Sequence, residues 1–161
     1  MTEAIIVADS SPLIGLARIG QLELLRRLAR RVVVPPAVWR EVTEHAEAPG
    51  ATVVANARWI EVEAPVATAV IPLTILVDRG EAEAMVLAGQ HPGSLLLLDD
   101  AKARRVAEHM LLRRIGTVGL LRRAKQQGLI TALRPQLEAL LAHGIFIRPS
   151  IIDAVLKEVG E

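Results

Sequence analysis

Acidic side chains follow two apolar runs of this 161-residue chain at the point where each run ends. Residues 5–8 lead into Asp9, and residues 95–98 lead into Asp99 and Asp100. Residues that favour a helix start follow both runs, as they do after parallel strands of α/β proteins. The carboxyl ends of such strands face the crevice where ligands bind. Carboxylates clustered there repel one another, so a divalent cation or a shared proton is needed to stabilise them.

Two further acids are predicted on or beside the inward faces of helices. At about 100° per residue, Glu81 shares the apolar face of a helix predicted over 81–89, whereas Glu83 points away from it. Burying an unpaired carboxylate is costly, so Glu81 is expected to have a partner. Favourable interaction with the helix N-terminus is the alternative explanation for an acid at this position.

Glu41 lies at the margin of the apolar face of a helix predicted over 36–46. That face comprises Trp39, Val42 and Ala46. Glu44 lies opposite the face and is expected in solvent, so Glu41 is the better site candidate. A surface salt bridge is the alternative role for Glu41.

The pair Asp99 and Asp100 is predicted to divide two tasks. Neighbouring strand residues point to opposite faces, so one carboxylate is expected in the site and the other at the cap of a helix over 101–112. The sequence leaves open which does which. Acids alone form an oxygen-only ligand set, which suits Mg²⁺ or Mn²⁺ rather than zinc. The chain has no cysteine, and its four histidines show no ligand spacing.

The predicted elements alternate between strands and helices, which indicates a three-layer α/β fold with a mostly parallel central sheet flanked by helices. Core strands are expected over 4–8, 32–34, 95–98 and 115–117, with an edge strand over 59–62. Ser11 is expected to cap the first helix, with Pro12 at its first position. One domain spans 1–161, with a core over about 4–128. Two extra helices, over 131–142 and 150–159, form an extension over about 129–161.

Charge is distributed unevenly along the chain. The segment 41–83 has eight acidic and two basic side chains, and the segment 99–128 has eight basic and three acidic ones. Acids beside a basic stretch suit a cation that bridges the protein to a phosphate-bearing partner, although charged helix surfaces explain any single pair. No apolar run approaches the ~20 residues of a membrane span, and no leader is apparent, so a cytoplasmic protein is expected.

The order of these motifs resembles the PIN-domain ribonucleases. The motifs are a strand followed by Asp9-Ser10-Ser11-Pro12, then Glu41 on the helix after Val34-Pro35, then Gly80-Glu81-Ala82-Glu83, and finally Leu98-Asp99-Asp100. The chain looks closest to the VapC-like toxin branch, and within it to an uncharacterised prokaryotic PIN-like subfamily with Gly-Glu-x-Glu and Asp-Asp motifs. Two features depart from the family pattern: Leu98 stands where a threonine is usual, and the two C-terminal helices extend past the minimal domain.

The resemblance implies an endoribonuclease that uses Mg²⁺ or Mn²⁺ and is the toxin of a toxin–antitoxin pair. It assigns the catalytic set to Asp9, Glu41, Glu81 and Asp100. It assigns the metal ligands to Asp9, Glu81, Asp99 and Asp100, with Asp99 as an added neighbour of Asp100. Ser11 matches a residue that orients the first acid, and Thr117 is a further site hydroxyl. From the basic segment we expect RNA backbone contacts by Arg104, Arg105, Arg113 and Arg122. Trp39, Trp59 and Phe146 are the only aromatic residues, and no platform for stacking bases is predicted.

The expected partners are RNA, a small antitoxin and a second copy of the chain. Apolar stripes on the two C-terminal helices suggest a homodimer or an antitoxin-binding surface, although such stripes are more often core. The alternative function is a catalytically weak PIN-like module that binds RNA or an antitoxin. A receiver-like signalling domain is not indicated, because neither its phosphoacceptor aspartate after a middle strand nor its lysine near a later strand end is evident. An aspartyl phosphatase is not indicated either, because Asp9-Ser10-Ser11 does not supply the Asp-x-Asp that should follow the first strand.

Overall fold

A parallel five-stranded sheet organises the chain. The computed structural model describes residues 2–45 and 47–161. Its strands are paired in the order β3-β2-β1-β4-β5, and every pairing is parallel. They are β1 (Glu3–Ala8), β2 (Ala29–Val34), β3 (Ile60–Val62), β4 (Leu95–Leu97) and β5 (Arg114–Ile115). This order confirms the α/β class, and it places a topological switch point between β1 and β4.

Helices fill the connections between the strands. Within the described residues they are α1 (Ser10–Arg18), α2 (Leu24–Leu28), α3 (Pro36–Thr43), α4 (Ala51–Ala55), α5 (Ala67–Leu73), α6 (Arg79–Gln90), α7 (Ala101–His109), α8 (Thr117–Gln126), α9 (Arg134–Ala142) and α10 (Pro149–Glu158). None of them is long and apolar enough to cross a membrane.

The strands bury both faces, which produces three layers. Ile6 and Ala8 point into a core shared with α1, α3 and α8, whereas the intervening Val7 points into a core shared with α6 and α7. Strands covered on both faces read as continuous apolar runs, as Val32–Val34 and Leu95–Leu98 do. Every strand therefore delivers its carboxyl end to one edge of a sheet covered by helices on both sides.

The element boundaries differ from the prediction at several places. The first helix begins at Ser10, so Asp9 rather than Ser11 occupies the N-cap position and Pro12 lies third in the helix. The helix predicted over 36–46 ends at Thr43, and Ala46 lies outside the described residues. Thr117, predicted in a strand, opens α8.

Two short helices were not predicted. They are α4 and α5, whose few buried residues include Val54 and Val70. Each is too short for its apolar spacing to show a period, so only its packing against longer helices stabilises it.

The two C-terminal helices pack on the first of the two cores. Leu137 and Leu140 of α9 and Val155 and Leu156 of α10 are buried in the same cluster as strand residues of the sheet. The apolar stripes of α9 and α10 are therefore mainly core, as their spacing favoured.

Leu111 is the one non-glycine residue with a positive φ among the described residues, at 59°. It follows α7, where the Leu112 N–H donates to the Ala107 carbonyl at 3.0 Å and the Leu111 N–H donates to Glu108 at 2.9 Å. This is the Schellman arrangement, whose left-handed residue is usually glycine. The Leu111 side chain is 91% exposed, so it buries no apolar surface that would offset the free-energy cost of the left-handed backbone.

Replacing Leu111 with Gly should stabilise the protein by roughly 0.5–1 kcal/mol, because glycine adopts the left-handed conformation without the Cβ clash. Urea denaturation measures the change. The same replacement at the half-exposed Leu141, inside α9, should destabilise by a similar amount. Equal destabilisation of both variants would contradict the assignment.

Candidate functional site

Asp9 lies at the centre of the sheet edge. It follows β1 directly, and its backbone N–H donates to the Leu97 carbonyl at 3.0 Å, which fixes it at the switch point between β1 and β4. The residue is only 4% exposed. Among the described residues, nothing donates a hydrogen bond to its buried Oδ1. A buried acceptor without a donor is costly, so the position of Asp9 destabilises the fold unless a ligand or a proton satisfies that oxygen.

The electrostatic surroundings of Asp9 are acidic. Burial raises the pKa of Asp9 to about 7, against a hydrogen bond from the Ser10 backbone that lowers it. The nearby carboxylates of Glu81, Asp78 and Glu41 raise the pKa further. The structure thus brings three of the predicted acids, Asp9, Glu41 and Glu81, into one cluster together with Asp78.

Glu81 and Asp78 form a reciprocal cap at the start of α6. The Glu81 N–H donates to Asp78 Oδ1 at 2.8 Å, and the Asp78 N–H donates to Glu81 Oε2 at 3.1 Å. The pKa of Glu81 is raised by burial and by the carboxylates of Asp78, Asp100 and Glu41. Both explanations of Glu81 therefore hold, since it caps its helix and also lies among acids.

Asp78 is the acid that the sequence reasoning missed. Asp78 lies outside the helix predicted over 81–89, although Asp78 and Glu81 have the spacing of a capping box. That spacing is the signal in the sequence that indicates an N-cap at Asp78.

Gly80 separates Asp78 from Glu41. A methyl group on Gly80 would lie 3.6 Å from Asp78 Oδ1 and 3.6 Å from Glu41 Oε2. Glu41 is an exposed residue of α3, so it reaches the cluster from the solvent side, and Glu44 is also exposed.

The prediction that Glu83 points away from the buried face of its helix is wrong. Only 4% of it is exposed, and it accepts hydrogen bonds from the Ala37 N–H at 3.1 Å and from Arg79 Nε at 2.7 Å. The helical wheel assumed that α6 has a solvent face. The helix is in fact buried over most of its circumference, because it packs on α3 and α5 as well as on the sheet. Glu83 thus satisfies a free N–H at the start of α3.

Asp99 and Asp100 diverge, but not as expected. Asp100 Oδ2 accepts from the Ala103 N–H at 2.8 Å and caps α7, yet Asp100 is also the member of the pair whose charge acts on Glu81. Asp99 turns to Thr117 and accepts from its N–H at 2.7 Å and from its Oγ1 at 2.6 Å. One residue therefore combines the two tasks predicted for the pair.

The two predicted supporting hydroxyls have different surroundings. Thr117 is buried and holds Asp99 in place, whereas Ser11 is exposed on the first turn of α1. The hydrogen bond to the Asp9 carboxyl comes from Ser10 rather than from Ser11.

The four predicted RNA-binding arginines do not form one surface. Arg104 and Arg122 line a cleft beside Asp99, and Arg105 is exposed on α7. Arg113 precedes β5 and pairs with Glu3 at 3.0 Å, at the amino-end edge of the parallel sheet. The fold thus places Arg113 at the edge opposite the acids, where it helps lower the pKa of Glu3.

The donor set suits a hard divalent cation. It consists of carboxylate oxygens, and one of them, Asp9 Oδ1, is buried and lacks a donor. Within residues 2–45 and 47–161, no three acidic or histidine side chains converge closely enough to hold an ion. The oxygen chemistry of these residues fits Mg²⁺ or Mn²⁺, but their carboxylates are spread along the edge rather than gathered around one point.

Comparison with known proteins places the chain in a family. A family model for the PIN domain matches residues 5–161, and the protein belongs to the PIN-domain family. PIN domains are typically nucleases, and their nucleases generally use divalent metals. No curated protein matches the chain.

Asp9→Asn should make stability less dependent on pH. The raised pKa means that the folded state holds a proton which the unfolded state releases near its ordinary value of 3.8. Stability in metal-free buffer therefore falls as pH rises from about 4 through about 7. At pH 8 the variant should be more stable than the wild type by roughly 2–4 kcal/mol, and near pH 4 the two should be similar.

Urea denaturation across this pH range measures the effect. Asp153→Asn, which removes an exposed carboxyl of α10, serves as the control and should follow the wild-type curve. Parallel curves for Asp9→Asn and the wild type would contradict the burial of a titrating Asp9.

Proposed function

We propose that this protein is a divalent-metal-dependent endoribonuclease that hydrolyses RNA phosphodiester bonds. The observation that carries the proposal is the buried Asp9, with an oxygen that lacks a donor, at the centre of an acidic sheet edge. Membership of a family of nucleases supports hydrolysis of phosphodiesters. The choice of RNA follows the resemblance to PIN-domain ribonucleases.

The acids would divide the work by position. Asp9, Glu81 and Asp100 would hold Mg²⁺ or Mn²⁺ directly or through water, with Asp78 beside them and Glu41 approaching from solvent. When bound, the cation would supply positive charge that activates water and stabilises the negative charge developing on the phosphodiester. Hydrogen bonds with backbone N–H groups at the starts of α6 and α7 hold the carboxylates of Glu81 and Asp100, so both are oriented before substrate binds. Thr117 keeps Asp99 turned away from Glu81.

Water attack at phosphorus forms one P–O bond and breaks another, so it produces two RNA fragments and needs a proton acceptor. A carboxylate whose pKa lies near neutrality suits proton transfer at physiological pH, and the pKa of Asp9 is about 7 in the absence of metal. With a cation bound, that carboxylate would be a ligand, and the exposed Glu41 would be the proton acceptor.

The role as a toxin and the small antitoxin stay predictions from the resemblance, and the homodimer stays a prediction from the apolar stripes of the two C-terminal helices. Toxicity on expression, relieved by Asp9→Asn, would support the first. Arg104, Arg105 and Arg122 are proposed to bind the RNA backbone, whereas Arg113 lies at the opposite edge and is ion-paired with Glu3.

Cleavage of mixed single-stranded RNA should require Mg²⁺ or Mn²⁺ and should fall at least ~100-fold in Asp9→Asn and Glu81→Gln, because each loses a carboxylate of the cluster. Glu44→Gln is the matched control, since Glu44 is an exposed acid of the same region that lies outside the cluster. Gel analysis of end-labelled RNA measures the rates.

Full cleavage by Asp9→Asn would overturn the assignment of the site. Binding of RNA without cleavage at any metal concentration would favour the non-catalytic PIN-like module instead.

Mn²⁺ should raise the melting temperature of the wild type, because the ion binds only the folded acids. At 100 times its dissociation constant the gain is about 2.7 kcal/mol. The gain should be smaller in Glu81→Gln and unchanged in Glu44→Gln, as measured by differential scanning fluorimetry. An equal shift in all three proteins would indicate that the ion binds elsewhere.

A further inference from the structure

A second concavity adjoins the acidic edge. It is a cleft of about 930 Å³ between the starts of α7 and α8 and the segment that leads from α9 into α10. Asp99 lines this cleft, and Asp100 lines the pocket that contains Asp78 and Glu81. Because Asp99 and Asp100 are consecutive, the two concavities meet at the start of α7.

Two buried guanidinium donors of the cleft are unsatisfied. The Nε atoms of Arg114 and Arg122 are buried, and neither has a hydrogen-bond partner among the described residues. Their terminal nitrogens pair with Glu108 at 3.1 Å and Glu158 at 2.8 Å. The two side chains remain partly exposed, so a phosphate oxygen in the cleft reaches their terminal nitrogens rather than the buried Nε atoms. A guanidinium group is a good match for phosphate oxygens.

The charge of the cleft is opposite to that of the acidic pocket. Four arginines line it, against the two acids Asp99 and Glu158; the arginines are Arg104, Arg114, Arg122 and Arg148. Asp99 is already engaged by two hydrogen bonds from Thr117. A polyanion is therefore attracted to the cleft and repelled by the neighbouring acids until a cation is bound there.

Phe146 stands at the cleft and is 81% exposed. It is the only phenylalanine of the chain, and it lies between α9 and α10. A base stacked on an aromatic ring gains ~1–3 kcal/mol, whereas an exposed ring alone gains nothing. A single aromatic residue has no spacing pattern, so a stacking platform at Phe146 is not predictable from the sequence.

We propose that this cleft binds the single-stranded RNA substrate next to the scissile bond. Arg114 and Arg122 bind phosphate oxygens through the terminal nitrogens of their partly exposed guanidinium groups, and Phe146 stacks on a base. The C-terminal extension thereby becomes a substrate-binding element rather than only a cover for the core. This inference rests on the proposed ribonuclease function.

The test measures binding of a fluorescent single-stranded RNA by anisotropy, with Asp9→Asn as the parent so that no RNA is cut. Adding Arg122→Ala or Phe146→Leu should weaken binding by about 10-fold each, which corresponds to ~1.4 kcal/mol. Phe146→Trp should retain the affinity, because tryptophan also stacks. Arg122→Ala should also reduce the salt dependence of binding by about one phosphate contact.

Arg31→Ala is the matched control, since Arg31 is an exposed arginine paired with Glu61 at 3.0 Å on the far side of the sheet. It should bind RNA like the parent. Glu158→Gln removes the same ion pair as Arg122→Ala but keeps the cation. If Arg122→Ala loses RNA binding and Glu158→Gln keeps it, the loss comes from the missing phosphate contact and not from the missing ion pair.

The outcomes separate this inference from the function on which it rests. Cleavage by the wild type with unchanged RNA affinity in Arg122→Ala and Phe146→Leu overturns the cleft and leaves the nuclease intact. Binding that depends on these residues, without cleavage by the wild type, supports the cleft and overturns the nuclease. Tighter binding of a glutamate-rich peptide than of RNA with the same charge, lost in the same variants, overturns the proposal in favour of a protein partner.

Discussion

The buried carboxyl of Asp9 is the constraint around which the sheet edge is arranged. Parallel strands bring β1 and β4 together at a switch point, and the hydrogen bond from the Asp9 N–H to Leu97 fixes the residue there. Burial and neighbouring carboxylates raise its pKa to about 7. Such an arrangement destabilises the isolated fold above neutral pH, and it is what a site built for a cation requires.

The other acids are held by helix starts rather than by basic partners. Asp78 and Glu81 cap α6, and Asp100 caps α7. Each capping hydrogen bond occupies one oxygen, Oε2 of Glu81 and Oδ2 of Asp100. These bonds hold both carboxylates at the same edge of the sheet without neutralising their charge. The carboxylate of Glu83 differs, because both of its oxygens accept hydrogen bonds, one from Arg79 and one from the backbone at the start of α3. Glu83 is therefore a structural acid, whereas Glu81, two residues earlier, is a candidate metal ligand.

Positive charge is distributed just as unevenly as negative charge. Arg113 stabilises the amino-end edge by pairing with Glu3. Arg114 and Arg122 face a cleft, and their buried Nε donors have no partner within the described part of the chain. The two concavities meet at the consecutive residues Asp99 and Asp100. A basic cleft that opens beside an acidic edge suits a phosphate chain bridged to carboxylates by a cation.

The sequence alone determined the α/β class and indicated Asp9, Glu41 and Glu81, because strands and helix faces have local periods that residue types reveal. The capping-box spacing of Asp78 and Glu81 also indicates an N-cap at Asp78. The burial of Glu83 and the approach of Asp100 rather than Asp99 to Glu81 follow from the packing of distant elements, so the sequence does not predict them. The surroundings of Phe146 and of the arginines were likewise decided by packing of the C-terminal helices, because contacts between distant segments leave no local period in the sequence.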